Sequence, residues 1–395
     1  MLSLSTALIP TVAHSQVGTH TRVRALSSQA HGGPVERNYF FAENILAELD
    51  SPGEFYVDKT TRKIYLWPPA AFGPPSSWSL VVSQLPTVVQ VKGSAETPAA
   101  GVKIGGLVFA HTTTMFVREK YTVPSAGDWS VLPKGAVELS AANNVEIAGC
   151  TFAQLGGNAL ALTGAIHDSA ITDCDFIKTG DSGIVSVGTL PEQTPNDGTA
   201  SNAVPTNVTI ERCHFGVTGV YGKQTSALFI AVSKRISFVD NVLYDGPRAG
   251  INVNDGYGGG HVLQGNVIFN QLLESGDHGP VNTWSRTAYL QRTPGGGAST
   301  IQEWNRIDGN FVMVGPKMGA LYGPGNGACS CGMWQRECPK GGGSMYTCLD
   351  HDDGSDYYLD TRNVCVFAGM KNCAVLGTPV SITSLLLPIF FSLFF

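Results

Sequence analysis

The stretches NVEIAGCTFA (residues 144–153), SAITDCDF (169–176) and NVTIERCHF (207–215) share one frame, Ile-x-x-Cys-x-Phe. Looser copies read GVKIGGLVFA at 101–110, RISFVDNVL at 235–243, HVLQGNVIF at 261–269 and NRIDGNFV at 305–312. Aligned three residues after the apolar anchor, the register runs Leu107, Cys150, Cys174, Cys213, Asn241, Asn266 and Asn310. The spacings are 43, 24, 39, 28, 25 and 44 residues, a base unit near 24 with insertions in the long gaps. A unit of that length, made of short strands and glycine turns with no helical period, predicts a β-solenoid. No coil buries its own apolar face, and stacking on its neighbours does so. The recurring Cys and Asn side chains then form an internal ladder, thiols first and amides later.

A second strand is expected about ten residues after each ladder position, at 159–162, 184–187, 228–231 and 251–254. Two long insertions, 189–205 and 285–303, both follow this strand. Insertions in repeat proteins gather on one face, often the binding face. The expected groove therefore lies along this strand and the turns at its ends.

Composition agrees. Hydrophobic residues make up 43% of the 395 and charged residues only 14%, against roughly 25% in ordinary domains. That apolar content rules out a disordered chain. Lys and Arg total 25 against 31 Asp and Glu, so the chain lacks the basic surplus of a nucleic-acid binder. The domain reading is an unmatched head or weak signal peptide at 1–36, an all-β parallel β-helix at 37–375 with a Cys-rich insertion at 326–348, and an apolar tail at 376–395. The uncharged run 380–395 is interrupted by Pro388 and falls short of the roughly 20 residues of a spanning helix. It reads equally as a membrane attachment, a lipid-anchor signal or a gene-model artefact.

Nine cysteines divide into two groups. Cys150, Cys174 and Cys213 sit on the ladder and are expected buried and reduced. Cys329, Cys331, Cys338, Cys348, Cys365 and Cys373 crowd into 45 residues and permit three disulfides. Together with the sequon Asn207-Val-Thr209, they favour an extracellular or cell-surface setting.

The acids concentrate at equivalent coil positions. INVNDGYGGG carries Asp255, LLESGDHGPVNTWSR carries Glu274, Asp277 and His278, and CLDHDDGSDYY carries Asp350, Asp352 and Asp353. Coils stack about 4.8 Å apart. Carboxylates two coils apart therefore approach the ~6.5–9.5 Å of an inverting glycosidase pair. Asp277, flanked by Glu274 and His278, is the expected acid, and Asp353 the expected base, with Asp350 or Asp255 as alternates. Trp284 and Tyr257 are candidates to stack a sugar ring. Arg248, Lys223 and Arg286 are candidates to hold carboxylates of an acidic sugar. Calcium is the alternative use of Asp350, Asp352 and Asp353, although their spacing differs from the DxDxDG loop. No nucleotide cofactor is expected. Asp181, beside glycine, reads as a turn cap.

ENILAELDSPGEFYVDKTTRKIYLWPP (43–69), GDWSVLPKGAVEL (127–139), YGKQTSA (221–227), GPRAGINVNDGYGGGHVLQGNVIFN (246–270), ESGDHGPVNTWSR (274–286) and DHDDGSDYY (350–358) resemble large right-handed parallel β-helix proteins. These belong to the pectate-lyase-like superfamily, related to β-helix glycoside hydrolases, and the resemblance covers residues 37–373. It implies a right-handed solenoid, as does the crossover rule, together with secretion and activity on a polysaccharide or glycan. The group's coils before residue 43 and after residue 358 are not matched, so the chain reads as truncated at both ends. Its Trp-Asp-Arg-like run is Trp284-Ser285-Arg286 here. The expected function is a glycoside hydrolase using paired Asp carboxylates. The alternatives are a non-catalytic glycan-binding or cell-surface protein and, further back, a polysaccharide lyase with Lys223 or Arg248 as base.

Overall fold

The computed structural model describes residues 12–17, 20–25, 44–94, 96–115, 129, 131–189, 204–254, 258–274, 278–285, 290–292, 298–300, 303–313, 347–352, 354–366, 369–372 and 381–386. The chain divides into two compact units, Met1–Val82 and Ser83–Phe395. In the first unit, strands Phe55–Asp58 and Lys63–Leu66 form an antiparallel hairpin. Asp58 closes its turn by accepting hydrogen bonds from the amides of Thr60 and Thr61. Among the described residues the parallel stack opens at Val89–Lys92, in the second unit.

The second unit is a parallel β-helix with three strands per coil. One coil shows the plan: Thr206–Glu211 in sheet I, His214–Gly216 in sheet II and Leu228–Ala231 in sheet III. Each strand pairs in parallel with its counterparts in the coils before and after. The Ile-x-x-Cys-x-Phe frame thus spans two strands and the bend between them, and the strand expected ten residues later is sheet III. Inside, the sheet I column reads Ile104, Ile147, Ile171, Ile210, Phe238, Leu263, Ile307 and Asp360. The sheet II column stacks Phe109, Phe152, Phe176 and Phe215, with ring centroids 4.5–4.9 Å apart.

The bend from sheet I to sheet II is one residue in the left-handed region followed by the ladder residue. Gly149, Asp173, Arg212, Asp240, Gly265, Gly309 and Arg362 all have φ between 52° and 67°. Left-handed backbone is costly for residues with a Cβ. Three of them take part in ion pairs: Arg212 with Asp173, and Arg362 with Asp308.

The ladder forms as expected. Cys150, Cys174 and Cys213 are buried free thiols. Cys213 N–H donates to Asn241 Oδ1 at 2.9 Å, and Asn241 Nδ2 donates to Asn266 Oδ1 at 3.1 Å. Asn266 Nδ2 donates to Asn310 Oδ1, and Asn310 Nδ2 to Asn363 Oδ1, each at 2.9 Å. Each amide nitrogen also donates to a main-chain carbonyl, those of Ile210, Phe238, Leu263 and Ile307 in turn. Asn363 is a rung the sequence reading missed. Leu107, aligned with the ladder above, belongs to the first coil and is 50% exposed, so ladder burial begins at Cys150.

Of the six clustered cysteines, Cys348 and Cys365 form a disulfide, Cα to Cα 5.9 Å, between sheets III and II. Cys329, Cys331, Cys338 and Cys373 lie outside the described residues. Within the apolar tail, Ser381–Leu386 pairs in parallel with Tyr358–Val366. Among the described residues, no helix is long and apolar enough to cross a membrane.

Candidate active site on sheet III

Alternation along sheet III sends one set of side chains inward and the other outward. Ile184, Leu228, Ile251, Val281 and Leu349 face the core. The outward column in the same coils reads Ala161, Val185, Phe229, Asn252, Asn282 and Asp350. It changes from apolar to polar after Phe229, and that change defines the candidate site.

The apolar half is covered. Trp129 and Val131 pack on Ala161, Val185, Val187, Phe229 and Ala231 in a second buried cluster outside the helix. The sequence placed an open groove along this whole strand, whereas these described residues close it over three coils. Burying the aromatic and aliphatic area of Trp129 and Val131 supplies the driving force.

Trp129 also holds the polar half. The Arg248 guanidinium lies 4.2 Å from its ring centroid, and the His278 ring stacks at 5.7 Å. Arg248 donates through Nη2 to His278 Nε2. Arginine has no acceptor, so Nε2 must be bare and the imidazole proton sits on Nδ1. That Nδ1–H faces two carboxylates, Asp350 Oδ2 at 3.8 Å and Asp352 Oδ2 at 3.9 Å. Asp352 is fixed by its own amide, which donates to Thr283 O at 2.9 Å. Arg248, His278 and Asp350 are all nearly fully buried. Burial in a low-dielectric setting strengthens each of these contacts relative to water.

Beneath Asp350, inside the helix, a second polar chain runs through its strand neighbour. His351 shares a 2.6 Å hydrogen bond between Nε2 and Asp360 Oδ2, and its Nδ1 lies 2.9 Å from Thr283 Oγ1. Thr283 donates to Ser355 Oγ at 2.8 Å. This network holds strands Val281–Trp284 and Thr347–His351 together behind the patch.

The sequence-derived candidates distribute as follows. Arg248, His278 and Asp350 come together in the patch. Trp284 is half-buried on the outward side, in register with Asn254. Lys223 and Glu274 instead pair with each other at 2.7 Å across an exposed turn. Asp255, Tyr257, Asp277, Arg286 and Asp353 lie outside the described residues. The calcium reading therefore has Asp350 and Asp352 described, both beside His278. Among the described residues no cluster of three or more His, Cys, Asp or Glu is placed to hold a metal. Sequence reasoning missed Trp129, Asn252, Asn254 and Asn282 as site residues. A signal for the asparagines existed in the alternation of INVN, where polar residues take the outward positions. Asp181, read as a turn cap, carries a buried side chain whose Oδ1 has no hydrogen-bond partner among the described residues.

A separate cavity of about 520 Å³ opens at the first coils, lined by Thr87, Gln90, Met115, Leu132, Lys134 and Glu138. Glu138 there accepts hydrogen bonds from Thr87 and Gln90.

Parallel coils around an internal polar ladder make the second unit a right-handed parallel β-helix in fold. Residues 132–279 match the family described as "Right handed beta helix region". No curated protein matches the sequence. A solved glycoside hydrolase structure superposes with a TM-score of 0.61 at 21% identity, over 84% of this chain and 56% of that one. The chain thus spans little more than half the length of that enzyme, and the likeness is one of fold. The A-module of Azotobacter vinelandii mannuronan C-5 epimerase AlgE6 superposes with a TM-score of 0.31 at 12% identity, over 77% of this chain and 58% of that module.

Proposed function

We propose that the chain is an extracellular glycoside hydrolase acting on a polysaccharide, with Asp350 as one of its catalytic carboxylates. The observation that carries this reading is the contact of His278 Nδ1 with Asp350 and Asp352 on the outer face of sheet III. A carboxylate so placed on the outer face is positioned to serve as the base for an attacking water. The second carboxylic acid must protonate the leaving oxygen. Asp277 is the proposed acid, and Asp353, with Asp255 as alternate, remains a candidate partner. Support comes from chain neighbours, because Asp277 precedes His278 and Asp353 follows Asp352, and those neighbours lie 3.9 Å apart. The Cys348–Cys365 disulfide accords with an oxidising compartment.

The test is a polysaccharide-panel digestion that follows reducing ends and the ultraviolet absorbance of unsaturated products together, with Asp277→Asn and Asp353→Asn alongside. A hydrolase releases reducing ends without absorbance and works in a chelator, and loss in either variant identifies the partner acid. Unsaturated products would make the protein a lyase. Silence from a folded chain across the panel would leave a glycan-binding protein.

A further inference from the structure

Three amides lie on the outward face of sheet III, each 0% exposed: Asn252 and Asn282 in the column that continues to Asp350, and Asn254 two residues along the strand from Asn252. Asn282 Nδ2 donates to Asn252 Oδ1 at 2.6 Å. That leaves Asn252 Nδ2, Asn282 Oδ1 and both polar atoms of Asn254 with no hydrogen-bond partner among the described residues. Buried polar groups are nearly always satisfied, so a cluster of exceptions beside a candidate site marks groups available to a ligand. Here the unmet groups are two amide donors and two carbonyl acceptors. A hydroxyl both donates and accepts and so matches such a mixed set, whereas a carboxylate only accepts. A carboxylate would leave Asn254 Oδ1 and Asn282 Oδ1 without a donor, and Asp350 stands one coil beyond Asn282.

The described cations assigned to an acidic sugar are already engaged. Lys223 pairs with Glu274, and Arg248, 1% exposed, stacks on Trp129 and donates to His278. Resting on the hydrolase reading of this site, we infer that its substrate is a neutral, polyhydroxylated sugar whose hydroxyls are held by Asn252, Asn254 and Asn282, not a uronate.

The test measures binding of neutral and uronate oligosaccharides to the full chain carrying Asp350→Asn, by titration calorimetry, with and without Asn254→Leu. Neutral oligosaccharides should bind, uronates should not, and Asn254→Leu should weaken binding roughly tenfold or more by removing two hydrogen bonds. Its melting temperature should hold or rise, since the amide lost has no hydrogen-bond partner among the described residues. If the leucine variant fails to fold, Asn254→Ala makes the same comparison. Uronates binding as well as neutral sugars, neutral binding indifferent to Asn254, or no saccharide bound by the folded protein would each overturn the inference. Cleavage of a uronate polymer by the unmodified chain would keep the hydrolase and overturn the neutral sugar. Asn254-dependent binding of a neutral sugar without cleavage would do the reverse.

Discussion

Two buried titratable groups in the coils next to the patch pull stability in opposite directions with pH. Asp181 lies in the turn Thr179-Gly180-Asp181-Ser182-Gly183, with its Oδ1 against Gly222, where a Cβ would sit 1.7 Å away. Burial pushes its carboxyl up to about 7. Between the unfolded value near 3.9 and that value the native state holds a proton that the unfolded chain has released. Stability therefore falls as pH rises across that window, by about 4 kcal/mol in all. His261 is the converse: its Nδ1 accepts the Ile236 amide at 3.2 Å, and burial holds it down to about 4. Below the unfolded value near 6.5 the unfolded chain gains a proton that the native state refuses. Stability is then lost as pH falls, by about 3 kcal/mol. Between about 4 and 6.5 the two slopes oppose and nearly cancel, so the unmodified protein should show a flat profile there. Urea unfolding across that range should show Asp181→Asn losing stability toward acid and His261→Asn losing it toward neutrality. Parallel profiles for the two variants would contradict the account.

Among elements, the asparagine ladder sets the register of the later coils. Asn266 receives the Asn241 amide and side chain, and donates to Phe238 O and Asn310 Oδ1. Asn266→Ala removes these bonds and leaves buried main-chain groups unmet, so it should cost about 2–5 kcal/mol in urea unfolding. A loss under ~1 kcal/mol would mean that the ladder is incidental to the fold. The ladder was legible because an apolar anchor, a bend and an amide or thiol recur at one offset. Asn363 escaped for a physical reason. Three residues before it the apolar anchor is replaced by Asp360, which the coil tolerates because buried His351 is bonded to it. Likewise Cys365 occupies the position of the phenylalanine column, where it meets Cys348, and six clustered cysteines cannot announce which two pair.

At the scale of the whole molecule, parallel coils make distant residues neighbours, and that is where the sequence reading ran short. Arg248 and His278 each stand three residues before the sheet III strand of successive coils, and Asp350 lies within the next sheet III strand, in register with Asn282, so the pairing of the first two could be anticipated and the approach of Asp350 less so. Trp129 arrives from a stretch with no repeat register and closes the outer face that the insertions had suggested was open. Its contacts with Arg248 and His278 aim the imidazole at the carboxylates, which ties the cover of the solenoid to the proposed chemistry. The most direct test of that chemistry is the rate of reducing-end release from the substrate the panel identifies, compared between the unmodified chain and Asp350→Asn at equal melting temperature. The account predicts a loss of roughly 100-fold or more, the scale of removing one acid–base group. An Asn variant that is folded and cleaves at the unmodified rate would contradict it.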